Sequence, residues 1–241
     1  MTYKIILKSS SKHTDRVGNC LRTWLSPLDY VIITDKLTGA ANELSMSDSD
    51  GYQSNEEKTV NFINYVQAHP DEFNQDWFVF IDDDAILNQG QFESIINHLD
   101  KDNVYGYKMK GSYQKDPELD YPSGGCGYFI SPQLIKKCKP MTKKGYGYED
   151  VCMGKFLEEN RVKIHDKYMV GSVMVPIRLN GWFPWQKHFE KLWEKGDSYV
   201  KEMIPLLTEE DVKLLHASIT HHYIRHASLM DYIYNEIKKP Q

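Results

Sequence analysis

The chain lacks any stretch of eighteen apolar residues, so nothing in it reads as a membrane-spanning helix. The N-terminal run Tyr3-Lys4-Ile5-Ile6-Leu7-Lys8 is too short for a signal peptide or an anchor. Cysteine is scarce: Cys20, Cys126, Cys138 and Cys152 show no CxxC spacing, which argues against a zinc site. Four thiols could form two disulfides, but without a signal segment the expectation is free thiols in a reducing, cytoplasmic compartment. Positive charge is not in excess either. The net charge of −5 supplies no global basic field for nucleic acid or a membrane surface. Internal repeats, low-complexity tracts and a convincing linker are all missing, so one domain over residues 1–241 is expected.

What is present is a regular alternation of strand and helix signals. Residues 3–8 and 30–34 read as strands, with a helix from about Thr14 to Trp24 between them. The Ser-, Asp- and Gly-rich segment 39–54 reads as a loop, after which Asn55 is expected to cap a helix through His69. A strand at 77–81, a helix through about Leu99 and a strand near 104–109 follow. Further helices are expected from Ser131-Pro132, from Glu149 to about Glu159 and over 228–238. The alternation predicts an α/β sandwich with a mainly parallel central sheet.

The most informative stretch is Trp77-Phe78-Val79-Phe80-Ile81-Asp82-Asp83-Asp84. Five strand-forming apolar residues run into three carboxylates, which places the charges at the sheet edge where ligand crevices form. Adjacent carboxylates repel one another, and a hard divalent ion bridging to phosphate oxygens would resolve that repulsion. A solvated acidic turn is the bland alternative for this triplet taken by itself. Gly124, Gly125 and Gly127 make either a tight turn or a floor that a ligand approaches closely, and their spacing fits neither a P-loop nor a dinucleotide fingerprint. Glu149-Asp150 is either ordinary acidic chemistry at a helix start or a general base facing a cleft. His216, His221, His222 and His226 crowd the C-terminal part, and adjacent His221 and His222 would point to opposite faces if extended. Trp182, Trp185 and Trp193 cluster over 182–193, and Trp185 is a candidate ring beside the donor or acceptor.

The order of these blocks carries more than any one of them. Thr23-Trp24, then DWFVFIDDD, YPSGGCGYFIS, YEDVCMGKFL and SITHHYI resemble the Fringe-like glycosyltransferases, nearest to the core 1 β3-galactosyltransferase branch. There the pattern is approximately W-F-x-x-x-DDD-T-Y, GG-A-G-Y, EDV-x-x-G and I-S-F-H-Y. The resemblance spans roughly residues 3–224 and implies a GT-A fold, a UDP-sugar donor, and metal-dependent transfer with inversion at the anomeric carbon. It implies Asp84 as direct ligand to Mn²⁺ or Mg²⁺, with Asp82 and Asp83 in supporting metal, water or sugar contacts and His222 as a further ligand. It also implies Asp150 as base, Glu149 as its support or as an acceptor contact, and Gly124, Gly125 and Gly127 against donor sugar and acceptor. Two departures stand out: Ala85-Ile86 follows the triplet where the family often has Thr-Tyr, and Cys126 replaces the usual alanine.

An anchorless, cysteine-poor version suggests a microbial or viral enzyme, and its acceptor is not given by the resemblance. Two classes compete: a glycan or protein hydroxyl, and a hydroxymethylated pyrimidine in bacteriophage DNA. Lys136, Lys137, Lys139, Lys143 and Lys144 precede Asp150 and could grip DNA phosphates, or could equally form a solvated lysine face. A catalytically inactive sugar- or nucleotide-binding module of the same fold is the alternative function. Retention of the DDD, ED and HY blocks together speaks against it.

Overall fold

The structure, a computed structural model, describes residues 1–51, 54–111, 116–166, 196–222 and 224–239. Trp182, Trp185 and Trp193 lie outside the described residues.

A seven-stranded sheet organises the molecule. Its first strands are β1 (Tyr3–Lys8), β2 (Tyr30–Thr34), β3 (Glu43–Ser45) and β4 (Trp77–Asp82). A second pair of strands, β5 (Ile86–Leu87) and β11 (Thr220–His221), forms its own small ribbon, and β7 (Lys108–Lys110) with β8 (Asp120–Pro122) forms another. With β6 (Val104–Gly106), β9 (Tyr128–Ile130) and β10 (Ile164–His165), the main sheet runs β10-β6-β9-β4-β1-β2-β3. All its pairings are parallel except those of β9, which runs antiparallel to both neighbours. The expected mainly parallel sheet is therefore present.

β1 from Ile5 to Leu7 and β4 from Trp77 to Ile81 are apolar because helices cover both faces, as parallel sheets require. Alternation sorts their side chains. Ile5, Leu7, Trp77, Val79 and Ile81 pack on one face with Trp24, Phe92 and the C-terminal Leu215, Leu229 and Ile233. Ile6, Phe78 and Phe80 pack on the other with Phe62 and Ile63 of α2 (Ser54–Ala68), Leu134 of α4 (Pro132–Lys137) and Phe156 of α5 (Glu149–Glu159). α1 (Thr14–Cys20), continued by a π-helical turn at Leu21–Leu25, and α3 (Gln89–Ile96) belong to the first layer. So do the helices Glu209–Ala217 and Ala227–Ile237.

Local differences from the sequence reading have simple causes. Asn55 sits inside α2, which begins at Ser54, and the segment 39–54 contains β3, because Leu44 finds a parallel partner in Ile33. The single strand expected near 104–109 is two, since Gly106 ends the main-sheet pairing and Lys108–Lys110 turns away to pair with β8. Ser131 caps α4 as expected, its Oγ accepting from the Gln133 N–H at 3.1 Å. Among the described residues no helix is long and apolar enough to cross a membrane.

Two features of this frame position the site. The β1–β4 register puts Lys8 beside Asp82, so both strands end level at the same sheet edge. The β5–β11 ribbon then folds the histidine segment over the acidic triplet, with the Ile224 N–H donating to the Asp84 carbonyl at 2.7 Å.

Candidate active site

At the end of β4 the three aspartates separate, Asp82 closing the strand and Asp83 and Asp84 lying in the turn after it. Asp82 and Asp84 point to one side, where His222 joins them; ligand atoms of the three lie within 4.8 Å of one another. The His222 Nε2 is 3.1 Å from Asp84 and 4.0 Å from Asp82. Two carboxylates and one imidazole converging on a point form a donor set that could hold a metal ion. Asp84 is buried, which by itself would raise its pKa, but the His222 and Arg225 cations override burial and hold it well below the carboxylate range. The Arg225 Nε donates to Asp84 Oδ2 at 2.8 Å. Conversely, burial disfavours a charged His222, yet the Asp84 carboxylate holds its pKa well above the ordinary histidine value.

Asp83 turns the other way. Its carboxylate accepts from Ser9 Oγ at 2.7 Å and lies 3.2 Å from His13 Nδ1 and 3.4 Å from Arg16. These contacts fix the loop after β1 and the start of α1 to the acidic edge.

The opposite wall is the first turn of α5. Glu149 is buried and turned inward, taking the Lys8 ammonium, while the Tyr128 hydroxyl donates to it at 3.3 Å. Lys8 also reaches Asp82 at 3.1 Å and the Gly124 carbonyl at 3.0 Å. Burial pushes the Glu149 carboxyl up to about 7, partly offset by Lys8. Lys8 itself loses hydration on burial, but two carboxylates hold its pKa above the ordinary lysine value. Asp150 is less deeply placed. Its Oδ1 accepts from the Val151 N–H at 2.9 Å and its Oδ2 from the Gly124 N–H at 3.4 Å. Burial raises its pKa, against the lowering effects of Lys8 and those two N–H groups.

Gly124 and Gly125 join the two walls. A Cβ at Gly124 would lie 2.1 Å from Glu149 Oε1, and one at Gly125 would lie 2.0 Å from the His222 ring. In this structure the close approach that glycine permits is thus made by the site's own side chains. Gly127 has φ +83, the left-handed region that favours glycine.

The remaining expected residues fall as follows. His221 is buried on the side away from the carboxylates, in keeping with alternation across an extended pair. The lysine run is largely committed: Lys136 donates to the Phe73 carbonyl at 3.1 Å, and Lys137, Lys143 and Lys144 pair with Asp102, Glu57 and Glu159. All four cysteines are free thiols. Sequence reasoning missed Lys8 and Arg225. A lysine closing an apolar parallel strand was a usable signal for the first.

The family model described as Fringe-like matches residues 4–177, well over half of the chain. Among solved structures the chain is similar to a glycosyltransferase involved in the glycosylation of the major capsid of PBCV-1. Identity there is 10%, with coverage of 98% of this chain and 100% of that one and a TM-score of 0.44. It is also similar to A197 from STIV, at 14% identity, coverage of 69% and 82%, and a TM-score of 0.38. By the family match, the chain belongs to the Fringe-like family and is a glycosyltransferase.

Proposed function

We propose that this glycosyltransferase acts as one catalytic domain that moves a sugar from a UDP-sugar to a neutral acceptor hydroxyl, with inversion and with a divalent ion. The observation that carries the reading is the Gly124-Gly125 hinge between two unlike carboxylate groups, one converging with His222 and one at a helix start. Asp82, Asp84 and His222 would hold the ion, and an imidazole beside two carboxylates favours Mn²⁺ over Mg²⁺. When bound, the ion supplies Lewis-acid stabilisation of the diphosphate leaving group.

The chain's own residues do the rest. Asp150 takes the proton of the acceptor hydroxyl, a role that a raised carboxylate pKa suits. Glu149 does not contact substrate; with Lys8 and Tyr128 it fixes the first turn of α5. Inversion follows from one base acting opposite the leaving group. Gly124 and Gly125 bring that base and the metal group to the same crevice, and Asp83 holds the loop after β1.

The lysines expected to meet DNA are mostly matched by carboxylates or carbonyls, which supports a glycan or protein hydroxyl over hydroxymethylated DNA. The test is mass spectrometry of acceptors after incubation with a panel of nucleotide sugars and Mn²⁺. Transfer to a neutral oligosaccharide with little salt dependence supports the reading. Transfer to modified DNA that weakens steeply with salt would replace the acceptor. Donor binding with neither transfer nor hydrolysis would indicate an inactive binding module.

A further inference from the structure

The loop in front of Asp150 is held by a buried acid that the mechanism above does not use. Glu56, in the first turn of α2, is 1% exposed. Its Oε1 accepts the backbone N–H groups of Lys144 at 2.6 Å and Gly145 at 2.9 Å, and its Oε2 accepts that of Gly147 at 2.8 Å. Gly145 has φ +71 and Gly147 φ +74. Left-handed residues of this kind turn successive N–H groups inward to make a concave nest for an anion, here filled by the protein's own carboxylate.

The position of this nest matters because α5 has no side-chain cap. Tyr148 occupies the cap position in extended conformation and makes no capping bond with its side chain. Beside the bonds of Glu149, the start of the helix therefore depends on the loop before it, and Gly147 stands three residues ahead of Asp150. The same turn of α2 also secures the other side of the crevice, where Lys58 donates to the Ser9 carbonyl beside the Asp83 anchor. A single helix start thus ties down both the loop after β1 and the loop before the base.

We propose that Glu56 is a positioning residue for sugar transfer: its carboxylate sets the 144–147 loop and, through it, the placement of Asp150. The proposal rests on the reading of Asp150 as base. Charge-assisted bonds to three backbone donors are strong and directional, and a neutral amide in their place would turn an N–H toward an N–H.

The test uses the full chain with Mn²⁺ and the donor that proves active, comparing wild type, Glu56→Gln, Glu56→Asp and Asp150→Asn. In Glu56→Gln, kcat for transfer is expected to fall by about 100-fold, the scale of an ångström-level misplacement. Donor Kd should stay within about threefold, and amide exchange should accelerate at 144–147. Glu56→Asp keeps the charge on a shorter arm and should recover about tenfold of the lost kcat; it also serves if Glu56→Gln does not fold. If amide exchange accelerates in either variant while kcat is unchanged, Glu56 is a structural anchor only and the proposal falls. A parallel loss of donor affinity and kcat would overturn it as well. Asp150→Asn separates the two layers: normal transfer there removes the base assignment, whereas an inactive Asp150→Asn beside a fully active Glu56→Gln removes the positioning role alone.

Discussion

The two walls of the crevice are built from the same residue types and treat protons in opposite ways. On the strand side, Asp84 is surrounded by cations and held ionised. On the helix side, Glu149 and Asp150 are raised by burial, with Lys8 as their main counter-charge. Asp84 thus keeps its charge, while burial shifts the helix-side carboxylates toward taking up a proton, the division of labour that the proposed mechanism uses. Lys8 bonds to both walls, through Asp82 and Glu149.

The largest effects should come from breaking each wall separately. Asp84→Ala removes a ligand and is expected to abolish Mn²⁺-dependent donor binding, read by calorimetry with and without the ion. Asp150→Asn should leave that binding intact and lower transfer by about 10²–10⁴-fold, the usual worth of a general base. Were Asp150→Asn to transfer at the normal rate, the helix wall would lose its role.

Removing the link between the walls should cost stability first. Lys8→Met strands Glu149, and breaking one partner of a buried pair costs about 3–5 kcal/mol. Urea unfolding without metal measures this, and adding Glu149→Gln should recover part of the loss, because the uncompensated carboxyl is then gone. The same variant bears on pH. Transfer needs Asp150 deprotonated, so activity should fall as pH drops through its raised pKa. Losing the Lys8 cation raises that pKa further, so the acid limb of kcat against pH moves to higher pH. A limb that stays in place would separate Lys8 from the base.

A milder change isolates the metal wall from its glycine side. The added Cβ in Gly125→Ala has no room beside the His222 ring. Displacing that ligand should weaken Mn²⁺ binding by about 10- to 100-fold, the range seen when a ligand's support is lost. Unfolding of the metal-free protein should change less than in Lys8→Met. Equal loss of stability in both variants would mean that Gly125 serves packing and not the ligand.

How much of this was legible beforehand follows from which interactions are local. The buried strand β4, its acidic end and the division between His221 and His222 come from apolar runs and period-two alternation, which one sequence displays. The sequence reading set Asp84 apart and paired Asp83 with Asp82; the turn after β4 instead sends Asp83 to the other side, which strand alternation does not describe. Lys8 needed the register of two strands more than seventy residues apart, which no local pattern encodes. Glu56 was hidden differently: an acid in the first turn of a helix already has a sufficient local explanation in the helix dipole. Its loop partners lie 88 to 91 residues away. The pairing of the lysine run was hidden for a related reason, since the acids that meet it come from other segments.

The smallest effect is confined to acid and compares two neighbours in the chain. His221 is wholly buried, and burial pushes its pKa down to about 4, so it is neutral in the folded protein. A histidine whose folded pKa lies below its unfolded value contributes stability above the unfolded pKa, and loses it as pH falls toward the folded one. His222 has the opposite sign, because Asp84 raises its pKa. Wild type should therefore lose stability through His221 between pH 6.5 and 4, by about 2 kcal/mol at pH 5. His221→Leu should lack that component, so its unfolding free energy relative to wild type should improve steadily as the solution is acidified, while neutral-pH activity survives. If the two stability curves ran parallel from pH 7 to 5, His221 would not be held neutral, and the contrast between the adjacent histidines would rest on His222 alone.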